Sequence, residues 1–330
     1  MVTQIDIQRD QASFQLLGKE IHGRHNLSPP REASLYWSQI RHARFWEGKR
    51  HEAQGRLGAY IHPTSSQGFI GWYACDEDEV LSSALLQAAI DWLRSEGVTH
   101  IWGPLNGSTW YNYRFNLSGE PSSFQGEPIH PSYYLAQWKA AGFTESVHYH
   151  STAIALAFSN GITELSLRNI LAPKQIDLLP LTSQTYQQYK PTILDLLNLS
   201  FEKNPFFQKF DLHDFSYLYD PVIERLPLGY SFLLLDTQQA PIGLYVAYPA
   251  ASRDSQQLII KTVAAHPAWR NQQISSLVVR HLHYLGHKAG MSHAIHALMY
   301  AENVSYKASN RKFPSNTIRT YALLEKRLKD

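Results

Sequence analysis

The sequence is poor in cysteine, since Cys75 is the only one among 330 residues. A single thiol forms no intramolecular disulfide and builds no cysteine-based metal site. No apolar run approaches the ~20 residues that span a bilayer, and the first residues lack a basic stretch followed by an apolar one. These absences predict a cytoplasmic protein that holds no metal ion.

The chain also lacks a large excess of charge of one sign. It has 30 Lys and Arg against 28 Asp and Glu, a formal net charge of +2. Because proteins that track a phosphate backbone carry a basic excess, we expect neither nucleic acid nor a membrane among its partners. The 44% hydrophobic content is typical of a globular protein, and 330 residues are enough for two domains.

What the sequence does contain is most informative between residues 258 and 285. An apolar strand is predicted over 258–265, a turn over 266–275, and then apolar residues at helical spacing. A strand that leads into a helix N-terminus presents unpaired N–H groups and a partial positive charge, which suit a pyrophosphate. No acidic residue occurs over 261–280. We interpret the turn as a cofactor site, with an ordinary strand-to-helix connection as the alternative.

The turn resembles the acyl-CoA-binding motif of the GNAT superfamily of N-acetyltransferases, Gln/Arg-x-x-Gly-x-Gly/Ala after a strand. That register gives Arg270, Gln273 and Ser275 here. Ser275 is small enough for the second small-residue position. Gln273 places a Cβ where the family's first glycine lets the backbone approach the pyrophosphate. If Gln273 closes the site, the protein is a non-catalytic binding or interaction module.

The order of the predicted strands and helices also resembles that of GNAT proteins. The second half reads as a hairpin over 230–248, a strand, a helix, a strand over 293–299 and a last strand over 317–328, which is the GNAT order. The first half repeats part of it, with a helix that ends at Ala141-Gly142-Phe143 and a final strand over 147–158.

We therefore predict an α/β (α+β) chain of two GNAT-like domains, each a mixed, mostly antiparallel twisted sheet flanked by helices. The predicted ranges are 1–160 for a degenerate N-terminal domain, 161–174 for a linker and 175–330 for a GNAT domain that binds acetyl-CoA. In the first half, the turn before the helix reads Asp76-Glu77-Asp78-Glu79. These carboxylates complement the helix dipole but repel a pyrophosphate, so we expect no CoA in the first domain.

The resemblance implies direct transfer of an acetyl group from acetyl-CoA to a primary amine of a small molecule or peptide. In such enzymes, strand backbone groups hold the pantetheine arm and polarise the thioester, and the turn amides hold the pyrophosphate. An asparagine after the next strand bonds the CoA arm, although Asn303 is equally suited to capping a helix. The residues implied for the cofactor are Val263, Ala265, Arg270, Asn271, Gln272, Gln273, Ile274, Ser275 and Asn303.

For catalysis, the resemblance implies Tyr306 as the acid that protonates the thiolate. Glu302 is one candidate for the base that deprotonates the amine, and the sequence leaves Glu202, His213 and Asp214 open as others.

An aromatic loop over 102–115 suits the wall of an acceptor pocket, or else packs the two domains together. The acceptor residues predicted from this loop and from the segment 201–210 are Trp110, Tyr111, Tyr113, Arg114 and Phe206.

Three histidines on the predicted helix, His281, His283 and His287, are interpreted as a solvated face, because Tyr284 stands where a zinc protease needs Glu. A tRNA-dependent aminoacyl transferase of tandem GNAT-like domains is a further alternative, which the small net charge does not favour. A homodimer is expected only by analogy with GNAT proteins.

Overall fold

The computed structural model describes residues 1–27, 42–62, 67–118, 124–157, 161–250, 256–270, 272–303, 306 and 315–328. The strands of this part of the chain are β1 (Val2–Ile5), β2 (His42–Arg50), β3 (Ala53–Ile61), β4 (Gln67–Cys75), β5 (His100–Gly103), β6 (Phe115–Asn116), β7 (Thr144–Ala155), β8 (Asp177–Pro180), β9 (Phe232–Leu235), β10 (Pro241–Pro249), β11 (Gln257–Ala265), β12 (His293–Tyr300) and β13 (Ser315–Arg327). The α-helices are α1 (Ile7–Arg24), α2 (Glu79–Ser95), α3 (Tyr134–Ala140), α4 (Glu164–Leu171), α5 (Ser183–Phe201), α6 (Leu212–Ile223) and α7 (Ile274–Lys288).

The chain forms two compact units, each assembled from segments that are distant in sequence. Unit 1 comprises Met1–Ser122, Glu127–His148 and Thr320–Asp330, and unit 2 comprises Ser123–Gly126 and Tyr149–Arg319. Both units therefore take a strand from the half of the sequence that forms the other unit.

These units differ from the predicted domain ranges in two strands and the linker. Residues 149–155 of β7 pair with β12, so they belong to unit 2 and not to the first domain. Conversely, residues 321–327 of β13 pair with β5 and β6, so they complete the sheet of unit 1. The predicted linker, 161–174, holds α4, whose Leu167 and Leu171 are buried in the core of unit 2.

In unit 1 the strand order is β1-β2-β3-β4-β5-β13, and β4 and β5 are its parallel neighbours. Helix α2 packs on this sheet through apolar residues at helical spacing, including Leu85, Leu86, Ala89 and Leu93, all inaccessible to solvent. Trp138 of α3 joins the same core.

In unit 2 the order is β7-β12-β11-β10-β9-β8, and β11 and β12 are its parallel neighbours. Helix α7 buries Ile274, Val278 and Leu282 against Leu258 and Ile260 of β11. The sequence-derived strand, turn and helix over 258–285 are therefore present. Among the described residues, no helix has both the length and the apolar character needed to cross a bilayer.

Candidate active site

A wedge opens between the two parallel strands of unit 2. Strands β11 and β12 pair from Gln257 and His293 as far as Ile260 and His296. Beyond that point β11 continues along β10 and β12 continues along β7. A crevice at the carboxyl ends of diverging strands is where sheets of this kind bind ligands.

Irregular backbone marks the divergence on both strands. On β11, Lys261 is an extra residue, because Thr262 pairs with Val246 while Ile260 pairs with the next residue of β10. On β12, Leu298 has a φ of 58°, and its N–H donates to Ser151 Oγ at 3.0 Å. Such bulges redirect backbone groups, and they are common beside functional sites.

Helix α7 begins beside the same end of β11. Its N-cap residue, Gln273, has a φ of 61° and makes no side-chain capping hydrogen bond, and the first turn contains no acidic residue. Left-handed backbone is disfavoured for residues with a Cβ. Gln273 therefore adopts the backbone conformation that glycine favours, although its exposed side chain remains.

Two hydrogen bonds tie the turn and the end of β11 to α5, and a third joins the turn to β11 itself. The Arg270 guanidinium donates to Ser200 O from Nη2 at 2.7 Å and to Ala265 O from Nε at 3.4 Å. The Ala265 N–H, predicted to face the thioester, donates to Ser200 Oγ at 3.2 Å. The structure thus brings Ala265 and Arg270 together and adds Ser200, which no sequence pattern marked as a site residue.

The remaining predicted turn residues have different environments. Gln272 is exposed and Val263 is half-buried, whereas the Ile274 side chain is buried in the core, so Ile274 can offer only its backbone. Ser275 accepts a hydrogen bond from the Tyr245 hydroxyl at 2.9 Å. Burial raises the pKa of Tyr245 to about 12, which keeps this donor protonated. Asn271 lies outside the described residues.

Unit 1 has the same wedge, but its own chain fills it. Strands β4 and β5 pair only as far as Phe69 and Trp102, and β4 then bulges at Trp72, where φ is 52°. The Trp72 N–H donates to Asn106 Oδ1 at 2.7 Å, and the Leu105 N–H donates to Ile70 O at 2.9 Å. The loop after β5 therefore occupies the space between the strands.

No protein-family model and no curated protein matches the sequence. Solved structures do match. A tandem GNAT protein from the clavulanic acid biosynthesis pathway, solved without AcCoA, is similar with a TM-score of 0.53 and 11% identity, over 100% of this chain and 99% of its own. A GCN5-related N-acetyltransferase from Anabaena variabilis is similar with a TM-score of 0.56 and 10% identity, over 100% of this chain and 73% of its own.

A protein of unknown function from Enterococcus faecalis, described as a probable N-acyltransferase, has a TM-score of 0.52 and 10% identity, over 99% of this chain and 72% of its own. At these identities the likeness establishes the fold and leaves the activity open. The chain has a tandem GNAT fold. The predicted fold class is confirmed.

The acidic turn of the first GNAT unit completes its own structure. Asp78 caps α2, with Oδ1 accepting from the Leu81 N–H at 2.8 Å and Oδ2 accepting from Arg50 at 2.9 Å. The Leu81 hydrogen bond, followed by the interactions with Arg50, lowers the pKa of the Asp78 carboxyl. Asp76 accepts from the Gln54 N–H at 2.8 Å. In unit 1, a carboxylate therefore caps the N-terminus of α2. In unit 2, the N-terminus of α7 has no such cap and no acidic residue.

The predicted catalytic residues lie near the end of β12 in the second GNAT unit. Glu302 is exposed, and the Asn303 N–H donates to Tyr300 O at 3.0 Å. The Tyr306 ring stacks on His150 with centroids 4.7 Å apart. Residues 304–305 and 307–314 lie outside the described part, so the short helix expected there is not assessed and these roles stay predictions.

Among the alternative bases, Asp214 lies in the first turn of α6. Burial, and then the nearby Asp211 charge, raise the pKa of its carboxyl. Glu202 and His213 are both exposed. A general base works best when its pKa lies near the working pH, so the raised pKa brings the Asp214 carboxyl closer to that value.

The predicted acceptor residues divide between the units. Phe206 belongs to unit 2, where its φ is 57°. The other four lie on the aromatic loop of unit 1. There Arg114 is buried and its guanidinium lies 4.1 Å from the ring centre of Tyr113, while Trp110 and Tyr111 are half-buried.

The predicted solvated histidine face is wrong for two of its three members. His281 and His283 are 0% and 1% exposed, because His281 packs against Phe232 on one side of α7 and His283 against His296 on another. His283 Nε2 lies 2.9 Å from His296 Nε2, so one ring donates and the other accepts. Burial lowers the pKa of His283 to about 4 and of His296 to about 3, which keeps both rings neutral. Among the described residues, no three His, Cys, Asp or Glu are grouped to hold a metal ion.

Proposed function

We propose that unit 2 binds acetyl-CoA and transfers its acetyl group directly to a primary amine of a small molecule or peptide. The observation that carries the proposal is the wedge between β11 and β12 beside an α7 N-terminus that has neither a side-chain cap nor an acid. A helix start of this kind attracts phosphate groups, and the strand edge next to it offers backbone groups to an extended chain.

The turn fits the anionic end of the cofactor. Gln273 has the left-handed backbone that lets the turn enter α7, and the half-buried Ser275 adds little bulk. The exposed Arg270 guanidinium adds positive charge at the same place. Together these groups would hold the pyrophosphate through backbone N–H donors, with Arg270 as an electrostatic aid.

The wedge would receive the pantetheine arm along Val263. The Ala265 N–H donates to Ser200 Oγ at 3.2 Å, and on cofactor binding it would exchange this serine oxygen for the thioester oxygen. Acetyl-CoA supplies a thioester carbonyl that an amine can attack, and a backbone N–H directed at that oxygen stabilises the charge that develops on it. Tyr306 would protonate the thiolate, and Glu302, or alternatively Asp214, would take the proton of the amine.

The alternative function is a binding or interaction module without catalysis. The exposed Gln273 side chain at the mouth of the turn is the feature that favours it. Under either function we propose a cytoplasmic location and no nucleic-acid partner, on the single cysteine and the net charge of +2.

Calorimetric titration of acetyl-CoA tests the proposal. We expect micromolar binding by the wild-type protein and a loss of about five- to several-hundred-fold in Ser275→Glu, because a carboxylate beside a pyrophosphate costs on the order of 1–4 kcal/mol. Ser183→Glu is the matched control, since it places the same charge in the exposed first turn of α5.

Equal binding by Ser275→Glu and the wild-type protein would place the cofactor elsewhere. No binding by folded wild-type protein at millimolar acetyl-CoA would favour the non-catalytic module. If binding is found, release of free thiol in the presence of a panel of amines measures the transfer itself.

A further inference from the structure

The edge of β11 that borders the wedge ends at Ala265. The next residue, His266, donates its N–H to Ile242 O beside β10 at 2.9 Å. Successive N–H groups of an extended strand point to opposite edges, so the Ala265 N–H points away from β10. On that side β12 has already separated, since it pairs with β11 only as far as Ile260. The Ala265 N–H is therefore directed into the wedge.

A side chain of the same unit already accepts this N–H. Ser200 lies in the last turn of α5, the helix that packs against β10 and β11, and its Oγ lies 3.2 Å from the Ala265 nitrogen. Ser200 is half-buried. A hydroxyl from a neighbouring helix thus satisfies a strand N–H at a place where the next strand has moved away.

Arg270 holds Ser200 at this place. Its guanidinium donates to Ser200 O from Nη2 at 2.7 Å and to Ala265 O from Nε at 3.4 Å. The carbonyls in the last turn of a helix lack helical partners, and a cation is favourable beside them. One guanidinium therefore bridges the same two residues that share the serine hydrogen bond, and it keeps the hydroxyl opposite the amide.

The wedge of unit 1 shows a more permanent acceptor. There the Trp72 N–H donates to Oδ1 of Asn106, which is 4% exposed, and the same loop bonds β4 again through Leu105. In unit 2 the acceptor is one hydroxyl on a half-buried side chain, and rotation about a single χ1 angle removes it from the amide. The serine can therefore leave the N–H without any rearrangement of a loop.

We propose that the Ser200 hydroxyl occupies the position of the thioester carbonyl oxygen in the free protein, and that it must leave the Ala265 N–H before the thioester is polarised. The inference rests on the function proposed for unit 2. A backbone amide has one hydrogen to donate, so the serine oxygen and the thioester oxygen compete for it. Ser200 thus lowers the affinity for acetyl-CoA but not for CoA, which has a thiol in place of the thioester.

Calorimetric titration of both acetyl-CoA and CoA into the full chain tests this competition. We expect Ser200→Ala to bind acetyl-CoA about two- to tenfold more tightly than the wild-type protein, because the hydrogen bond to serine no longer has to be broken. Its affinity for CoA should stay as in the wild-type protein. Alanine favours helices, so α5 keeps its fold in this variant.

Two matched variants separate the hydroxyl from other effects. Ser200→Thr keeps a hydroxyl at the same position and should retain the wild-type ratio of acetyl-CoA affinity to CoA affinity. Ser183→Ala makes the same substitution in the exposed first turn of α5 and should also retain that ratio.

A second readout needs no cofactor. In the free protein, hydrogen exchange of the Ala265 amide, followed by NMR, reports its bond to Ser200 directly. We expect exchange at least about threefold faster in Ser200→Ala and unchanged in Ser200→Thr.

An unchanged affinity ratio in Ser200→Ala would overturn the inference and leave the function proposed for unit 2 in place. Equal tightening of acetyl-CoA and CoA would assign the effect to loosening of α5 and would also overturn it, as would unchanged exchange of the Ala265 amide. Binding of acetyl-CoA by Ser200→Ala alone would support the inference in its strongest form. Absence of binding by all of these proteins would refute the proposed function, and the inference with it.

Discussion

The two units show how one fold can hold a wedge open or fill it. Both units have a parallel strand pair that separates after three or four residue pairs, with a bulge on the first strand of the pair. In unit 1 the loop after β5 bonds into the gap through Leu105 and Asn106, and Asp78 caps the adjacent helix. In unit 2 the adjacent helix starts at Gln273 without a cap. The scaffold is thus shared, while a few local residues decide whether a ligand can enter.

The largest expected effect comes from disturbing the filled wedge. A Cβ on Gly71 would lie 2.1 Å from the Leu105 carbonyl oxygen, which is backbone and cannot swing away. We expect Gly71→Ala to reduce the free energy of unfolding of unit 1 by at least about 3 kcal/mol. Urea unfolding combined with hydrogen exchange resolved by unit measures this.

Gly229→Ala is the control for that variant, because a Cβ there meets no atom within 4 Å. It should change stability by less than about 1 kcal/mol. An unchanged Gly71→Ala protein would mean that the loop does not fill the wedge in solution.

Acidification should weaken unit 2 more than unit 1. His283 and His296 have a pKa of about 4 and about 3 in the folded chain, and about 6.5 in an unfolded one. Between pH 6.5 and 4 the unfolded chain binds more protons, so stability present above pH 6.5 is lost as the pH falls, by on the order of a few kcal/mol. Unit 1 contains His62 and His130, whose pKa values burial also lowers, and we expect its stability to fall less than that of unit 2.

Thermal unfolding from pH 7 to pH 4 measures this loss. His296→Gln removes one titrating group and should flatten the pH dependence, whereas His293→Gln, at an exposed position, should leave it as in the wild-type protein. The same dependence in all three proteins would assign it to other groups.

Gln273→Gly should make unit 2 a better cofactor site. Loss of the exposed side chain lets a pyrophosphate approach the turn more closely, and we expect acetyl-CoA to bind roughly three- to tenfold more tightly. Stability should change little, since relief of the left-handed backbone offsets the entropy that glycine costs. Calorimetry with Gln272→Gly as the control measures the gain, and a gain in both variants would reflect general loosening of the turn.

The smallest effect tests which barrier excludes a ligand from unit 1. Asp78→Ala removes the cap of α2 and should lower the melting temperature by about 2–4 °C. It should create no acetyl-CoA site, because Asn106 and Leu105 still fill the wedge. A second equivalent of bound acetyl-CoA in calorimetry would show that the acidic turn, and not the loop, is the barrier.

Local pattern was enough to predict much of this molecule. The apolar run of β11, the helical spacing in α7 and the hairpin of β9 and β10 depend on nearby residues, and all are present. These elements were enough to predict the GNAT order. The acidic turn over residues 76–79 was enough to predict that the N-termini of the two equivalent helices differ in charge.

Contacts between distant residues were not predictable in the same way. Strand β13 has a composition that suits either unit, so its pairing with β5 could not be read from local pattern. The backbone of Gln273 was missed because the glycine motif was taken as a requirement for glycine, although glutamine can adopt the same φ at a cost. The burial of His281 was missed because imidazole was counted as polar, while Val278 and Leu282 beside it marked the buried side of α7.

The exchange of strands has a consequence for how the chain is made. In a protein synthesised from its N-terminus, residues 321–327 emerge after every other described strand of both units. Until then, β5 lacks its partner, and an unpaired strand edge is prone to wrong association. The unit that is translated first is therefore completed last, and its nascent sheet must wait for the other unit to be made.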